Sequence, residues 1–280
     1  MMPTLLSIGH GYSARALAPL LLARGWKVIG TTRAPEKAEA LAAEGVTPLL
    51  WPGADLKRHI ANATHILTSV PPGEGDPVLE EYIDALHSAP ATWVGYLSTV
   101  GVYGDRQGGW VDETSELLAT TKRGRARIKA EAEWAALGLS VHIFRLAGIY
   151  GPGRGPFSKV RAGTARRIIK EGQVFSRIHV KDIAATLLAS IDRPRPGAIY
   201  NVCDDDPAPP QDVIAYAATR LGLPVPPGIP YQEAELTPMQ RSFYAESKKC
   251  SNRLLREELG VDLAYPDYKT GLDDLLTRAG

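Results

Sequence analysis

Two glycines one residue apart, Gly9 and Gly11, lie between an apolar run, Leu5-Leu6-Ser7-Ile8, and a helical segment, with small Ala14 three residues further on. Residue types in that order point to phosphate chemistry. Gly9 permits a sharp strand-to-helix turn, Gly11 lets backbone N–H groups approach a pyrophosphate with no Cβ in the way, and Ala14 fills the third position of G-x-G-x-x-G/A. Tyr12 and Ser13 then open a helix whose N-terminus faces the phosphates. A second apolar run, 26–30, ends in Thr31-Thr32-Arg33. An acid at that strand end would accept from a ribose 2′-hydroxyl, whereas a cation suits a 2′-phosphate, so Thr32 and Arg33 predict NADP in preference to NAD. The opposing reading is an ordinary strand-to-helix turn with a surface arginine.

Positioning these groups takes a strand, a helix and a second strand, and the rest of the chain repeats that alternation. Residues 36–44 read as helix and 46–51 as strand, with Asp55 and Leu56 following; 64–70 is a strand that ends at Val70 and Pro71. Asp55, Leu56, Val70 and Pro71 therefore join Gly9, Gly11, Tyr12, Ser13, Thr32 and Arg33 as expected cofactor-binding positions. Helix is expected over 77–88, strand over 92–97, mostly helix over 116–137, and strands over 140–146 and 198–202. Such a series predicts an α/β, doubly wound, Rossmann-type parallel sheet. Pro19 falls inside the first helix, where a missing N–H and a ring clash cost about 3 kcal/mol, so a kink or a later start is expected there.

Length and composition leave room for one large α/β domain or one domain with an added lobe. The chain has 280 residues, 44% of them hydrophobic and 22% charged, and its net charge is +1. A normal core can be buried, and nothing in the charge calls for a nucleic acid or an anionic membrane as partner. Cys203 and Cys250 are isolated, without metal-ligand spacing or a disulfide framework, which fits a reducing cytoplasm. The N-terminal residues lack a basic leader with a long apolar core, and no apolar stretch approaches the ~20 residues of a membrane span.

Four further motifs carry a family resemblance. Leu97-Ser98-Thr99-Val100-Gly101-Val102-Tyr103-Gly104, Phe144-Arg145-Leu146-Ala147-Gly148-Ile149-Tyr150-Gly151-Pro152-Gly153, Ile178-His179-Val180-Lys181-Asp182-Ile183-Ala184 and Tyr200-Asn201-Val202 occur in that order. They resemble the landmarks of extended short-chain dehydrogenases/reductases, the NAD-dependent epimerase/dehydratase family. The likeness runs from about Leu5 to the end, where 247–260 looks like the family's late helix. It implies a nucleotide-binding domain over 1–150 plus about 178–203, a smaller substrate lobe from 151–177 and 204–280, a small-molecule substrate, and possible homodimers through the two central helices.

The resemblance also defines a departure. In the family a Tyr-x-x-x-Lys pair on one helix handles the proton while hydride moves to or from the nicotinamide. Aligning Glu131 with the family's glutamate puts Arg123 and Arg127 where that tyrosine and lysine belong. Arginine stays protonated and cannot serve as a general base, yet two cations four apart on a helix can hold an anionic substrate. Thr99 matches the family's hydroxyl helper, and is either a polariser of a substrate carbonyl or a satisfied strand-end hydroxyl. Tyr103 reads as packing; Tyr150 is a candidate proton donor; His179 is either a substrate contact or a structural support; Asp182 reads as a first-turn carboxylate. The basic run Lys159, Arg161, Arg166, Arg167 and Lys170 is either an anion site or a solvated face. Two functions stand: an NADP-dependent oxidoreductase or epimerase acting on a small anionic or nucleotide-linked substrate, or a non-catalytic protein that senses or carries the cofactor.

Overall fold

The computed structural model describes residues 2–278. Seven strands, β1 (Thr4–Ile8), β2 (Lys27–Thr32), β3 (Thr47–Leu50), β4 (His65–Thr68), β5 (Trp93–Thr99), β6 (Val141–Leu146) and β7 (Ile199–Val202), form one sheet. Their spatial order is β7-β6-β5-β4-β1-β2-β3, and every neighbouring pair is parallel. This is the expected doubly wound, Rossmann-type sheet, with its order reversing between β1 and β4.

Burial on both faces explains the near-continuous apolar strands. Side chains of β1 alternate: Leu5 enters a core shared with Leu17 and Leu21 of α1 (Tyr12–Leu22) and with Ile183 and Leu187 of a helix spanning Val180–Asp192. Leu6 and Ile8 enter the opposite core, with Val78, Tyr82 and Leu86 of a helix spanning Pro77–His87 and with Trp134 of another spanning Lys122–Ala135. In chain order these helices and Pro35–Ala43 are α1, α2 (Pro35–Ala43), α3 (Pro77–His87), α4 (Lys122–Ala135) and α5 (Val180–Asp192). A third core, containing Tyr150, Phe157, Val213, Ala217, Tyr268 and Leu272, joins α6 (Pro210–Arg220) to a C-terminal helix, Tyr268–Thr277.

Three local expectations change. Residues 116–121 are not helical: α4 begins at Lys122 because the Thr121 hydroxyl oxygen accepts the Gly124 N–H at 3.0 Å. The late segment 247–260 holds only a two-residue strand, Lys249–Cys250, paired with Trp110–Val111, and a short helix, Arg253–Glu257. Pro19 neither delays nor ends α1, which starts at Tyr12 and runs past it, with the Ala23 N–H donated to the Pro19 carbonyl at 3.0 Å. Among the described residues no helix is long and apolar enough to cross a membrane.

Candidate functional site

The carboxyl ends of β1, β4, β5 and β6 open onto one cavity of about 970 Å³. Ligands in open parallel sheets bind in this crevice, at the point where strand order reverses. Its first wall is the turn from β1 into α1. Gly9 has φ +78°, and a Cβ there would lie 3.0 Å from Val70 Cγ2 and 3.1 Å from Ser69 Oγ, so only glycine fits without displacing β4. The Gly9 N–H is donated to Thr31 Oγ1 at 2.7 Å, which fixes the turn against β2. Gly11 is the N-cap of α1, and no side chain caps the helix. The first N–H groups of a helix have no acceptor within it, and here that end, at Gly11, Tyr12 and Ser13, opens onto the cavity as an electropositive surface.

The other expected cofactor positions spread along the same edge. Pro71 lines the cavity, and Val70 packs behind it against Gly9. Thr32 accepts the Ala34 N–H at 3.3 Å, and Arg33 projects from the end of β2 as an exposed side chain. Leu56 is buried, while exposed Asp55 accepts the Lys57 N–H at 2.9 Å and borders a separate hollow of about 320 Å³ with Lys57, Glu81 and Tyr82.

Thr99 stands at the end of β5, on the cavity wall. Its Oγ1 accepts the Gly101 N–H at 3.1 Å, capping a short helical turn over Val100–Tyr103. The hydroxyl proton is left for an acceptor in the cavity. Behind it the neighbouring Ser98 hydroxyl donates to Glu131, which pairs with Arg145 at 2.8 Å; both charged side chains are almost wholly buried. Tyr103 belongs to this network, donating to Asn201 Oδ1 at 2.7 Å and accepting from Arg145 at 2.9 Å, so its hydroxyl is structural.

Arg123 and Arg127 both line the cavity from α4. Arg127 donates to the Tyr96 hydroxyl at 2.9 Å and to the Leu97 carbonyl at 2.8 Å, while Arg123 lies over the Phe243 ring, 5.9 Å from its centroid. Burial pushes the Tyr96 hydroxyl up to about 12, against the pull of Arg127, so it stays protonated at neutral pH.

Two expected residues sit otherwise than the sequence suggests. The Tyr150 ring lines the cavity, but its hydroxyl donates to the Asp267 carbonyl at 3.2 Å, and burial raises its pKa. Gly271 makes room for that hydroxyl: a Cβ there would lie 2.1 Å from it. His179 is fully buried and does not line the cavity. Its Nδ1 accepts the Lys181 N–H at 3.3 Å as the cap of α5, and the ring lies between Tyr150 and Tyr265. Burial lowers its pKa to about 4, which keeps Nδ1 free to accept. Asp182 is likewise structural, accepting the Ala264 and Tyr265 N–H groups at 2.9 and 3.1 Å.

The far wall comes from segments that carry no motif. It includes Arg154, which lies over the Tyr12 ring, Phe175 and Arg177, then Phe243 and Tyr244 of a helix spanning Pro238–Tyr244, α7, and the pair Glu246–Lys248 at 2.6 Å. Of the basic run 159–170, none lines the cavity: Lys170 reaches the Tyr244 carbonyl and Arg166 that of Glu235. Residues 243–250, three apolar side chains followed by an acid and two lysines, form no motif, and in one sequence they are indistinguishable from an ordinary surface segment.

No protein-family model matches the chain. A conserved protein of unknown function from Silicibacter pomeroyi DSS is 56% identical, with a TM-score of 0.95 over 99% of each chain. Protein YeeZ of Escherichia coli K12 is 29% identical, covering 93% of this chain and 95% of its own. A structure from Methylobacillus flagellatus, assigned as an NAD-dependent epimerase/dehydratase, is 28% identical over 100% of this chain and 99% of that one, with a TM-score of 0.74. That full-length likeness, carried on a parallel sheet of the same type, supports the resemblance to the extended short-chain dehydrogenase/reductase, or NAD-dependent epimerase/dehydratase, family, from whose pattern this chain departs by carrying arginines where the Tyr-x-x-x-Lys pair belongs.

Proposed function

We propose that this protein is an NADP-dependent oxidoreductase acting on a small anionic substrate. The observation that carries the reading is a juxtaposition. An uncapped helix N-terminus, built for a pyrophosphate, opens onto the same cavity as a threonine hydroxyl whose proton is uncommitted and an arginine without a carboxylate partner. The residues present fit a dinucleotide: Gly9, Gly11, Tyr12 and Ser13 would hold the pyrophosphate, and Arg33 a 2′-phosphate. When bound, the nicotinamide supplies or takes up a hydride.

The chain's own groups then have separable duties. Thr99 donates its hydroxyl proton to a substrate carbonyl oxygen and stabilises the charge that develops there. Arg123 holds the substrate's anion. Arg127 braces Tyr96 and the end of β5, and Tyr150 forms wall. With both of those side chains committed, a water in the open cavity carries the proton to or from the product oxygen. The same commitment favours a second reading, a cofactor-sensing protein without turnover, because the position where the family keeps its proton chemistry is occupied by a structural brace.

Calorimetric titration with NADPH and NADH, on the wild type and on Arg33→Ala, tests the assignment. NADPH is expected to bind about tenfold more tightly, and Arg33→Ala to remove that preference while leaving NADH unchanged. Equal affinity for both cofactors in the wild type would remove Arg33 from the site, and binding of neither would end the dinucleotide reading. Turnover of a carbonyl panel that is lost in Thr99→Ala separates the enzyme from the sensor.

A further inference from the structure

We infer that the substrate is an amphipathic organic monoanion, a carboxylate on a planar apolar body, seated between Arg123 and the rings of Phe243, Phe175 and Tyr244, and not a nucleoside diphosphate sugar. The inference rests on the proposed reading of the cavity as a substrate site and narrows its substrate class.

Five cations border the cavity, and three of them are already hydrogen-bonded or ion-paired. Lys248 is neutralised by Glu246 at 2.6 Å, with both side chains nearly buried. Arg127 spends its donors on Tyr96 and Leu97, and Arg177 donates to the Phe175 and Ala208 carbonyls at 2.8 and 3.0 Å. Arg154 lies over the Tyr12 ring, at the α1 end of the cavity where a dinucleotide's own phosphates belong. Among the described residues Arg123 and Arg154 are the two cavity cations whose side chains have neither a hydrogen bond nor an ion pair; Arg154 sits at the cofactor end, which leaves Arg123, stacked on the face of Phe243, as the free cation beside the aromatic wall. With Arg154 given to the dinucleotide's phosphates, one free guanidinium remains for the substrate, too few for a second diphosphate. One planar guanidinium matches one carboxylate, through two parallel N–H···O bonds.

The remaining surface of that wall selects the body of the molecule. Tyr244 meets Phe175 edge to face, at 5.8 Å between centroids, and packs on Tyr231 at 5.5 Å, which leaves an aromatic wall beside the cation. α7, which carries Phe243 and Tyr244, buries no residue of its own; Phe243 is 52% exposed and Met239 62%. A helix that presents large apolar side chains at the mouth of a cavity, next to an unpaired arginine, is complementary to a flat apolar acid. Aromatic offset and edge contacts then orient the ring, and the carboxylate fixes its end.

The test is calorimetry on NADPH-saturated protein with benzoate, trans-cinnamate, indole-3-acetate and UDP-glucose as probes, on the wild type, Arg123→Gln and Phe243→Ala. At least one aromatic carboxylate is expected to bind, about tenfold more weakly to Arg123→Gln and several-fold more weakly to Phe243→Ala, with its neutral amide as weak as the Arg123→Gln complex. UDP-glucose gives no heat. The inference is overturned by UDP-glucose binding more tightly than every carboxylate, by carboxylate binding that ignores Arg123, or by no carboxylate binding in protein that binds NADPH. That last result leaves the cofactor reading intact. If NADPH itself fails to bind, the titrations on cofactor-free protein decide the anion site separately. Melting temperature controls for folding: Arg123 is exposed, so its variant is expected to keep the wild-type value.

Discussion

The two walls of the cavity are built by different means. On the sheet side the groups that face the cavity are the backbone amides of the β1–α1 turn and short hydroxyl side chains such as Ser13 and Thr99, held by a seven-stranded parallel sheet in which each strand end is fixed by its neighbours. On the lobe side they are long side chains from Phe175, Arg177, α7 and the 246–250 segment, supported by two- and three-residue strand pairs. Backbone presentation demands glycine and a helix start at set spacings. Side-chain presentation demands only that a residue of the right chemistry arrive somewhere near. The first wall is therefore rigid and general, suited to a part common to many reactions, and the second is adaptable and particular.

The largest expected effect lies behind the first wall. Glu131 and Arg145 are 4% and 3% exposed, and their pair anchors Ser98 and Tyr103, the residues on either side of the Thr99 turn. Glu131→Ala leaves the Arg145 charge buried and unpaired, at a cost of about 3–5 kcal/mol, which should lower Tm by about 10 °C in thermal denaturation. Replacing both, Glu131→Leu with Arg145→Met, is expected to recover much of that loss, because the uncompensated charge is gone. Equal Tm for Glu131→Ala and the exposed Arg123→Gln would erase the contrast between the walls.

A second effect, intermediate in size, belongs to the lobe side and depends on pH. Asp204 is buried with both carboxylate oxygens lacking a partner among the described residues. Burial pushes it up to about 8, although Arg177 pulls the other way. An unfolded aspartate ionises near pH 3.9, so between about pH 4 and 8 the folded state holds the extra proton, and the Asp204 contribution to stability is fully present below that range and lost as pH rises through it. Asp204→Asn should be flatter than the wild type from pH 5 to 8 and the more stable of the two at pH 8. A wild-type and variant Tm difference that does not change over that range would show that Asp204 is ionised throughout.

The contrast between walls also decides what a single sequence reveals. Gly9, followed at set spacing by Gly11 and Ala14, announced the β1–α1 turn because only glycine satisfies the positive φ and the close contact with Val70 at position 9. Alternating apolar runs announced all seven strands of the main sheet to within a few residues. Local chemistry misled at 116–121, where the helix-forming residues Glu116, Leu117, Leu118 and Ala119 are held outside α4 by the Thr121 cap, and at 247–260, where the expected helix is reduced to a two-residue strand and a five-residue helix. Tyr150 and His179 were visible as candidates, yet their orientation depends on Gly271 and Tyr265, over 80 residues away in sequence, which no local pattern encodes. Phe243, Arg177 and the Glu246–Lys248 pair left no signature, since a cation beside an aromatic is also what an ordinary surface looks like.

The smallest expected effect concerns the seam between the walls. Tyr12, in the first turn of α1, donates its hydroxyl to the Pro152 carbonyl at 3.0 Å, and Arg154 lies over the same ring at 5.6 Å. One residue of the sheet side thus holds the loop that starts the lobe side. Tyr12→Phe keeps the ring and the cation contact and removes one partly exposed hydrogen bond, worth about 1 kcal/mol. A fall in Tm of about 2–4 °C is expected, with proteolysis in the 151–156 loop faster and NADPH affinity unchanged. If NADPH affinity falls instead, the phenol touches the cofactor and the seam belongs to the first wall; if neither quantity moves, the two walls are joined by the packing of Tyr150, His179 and Tyr265, and the hydrogen bond is incidental.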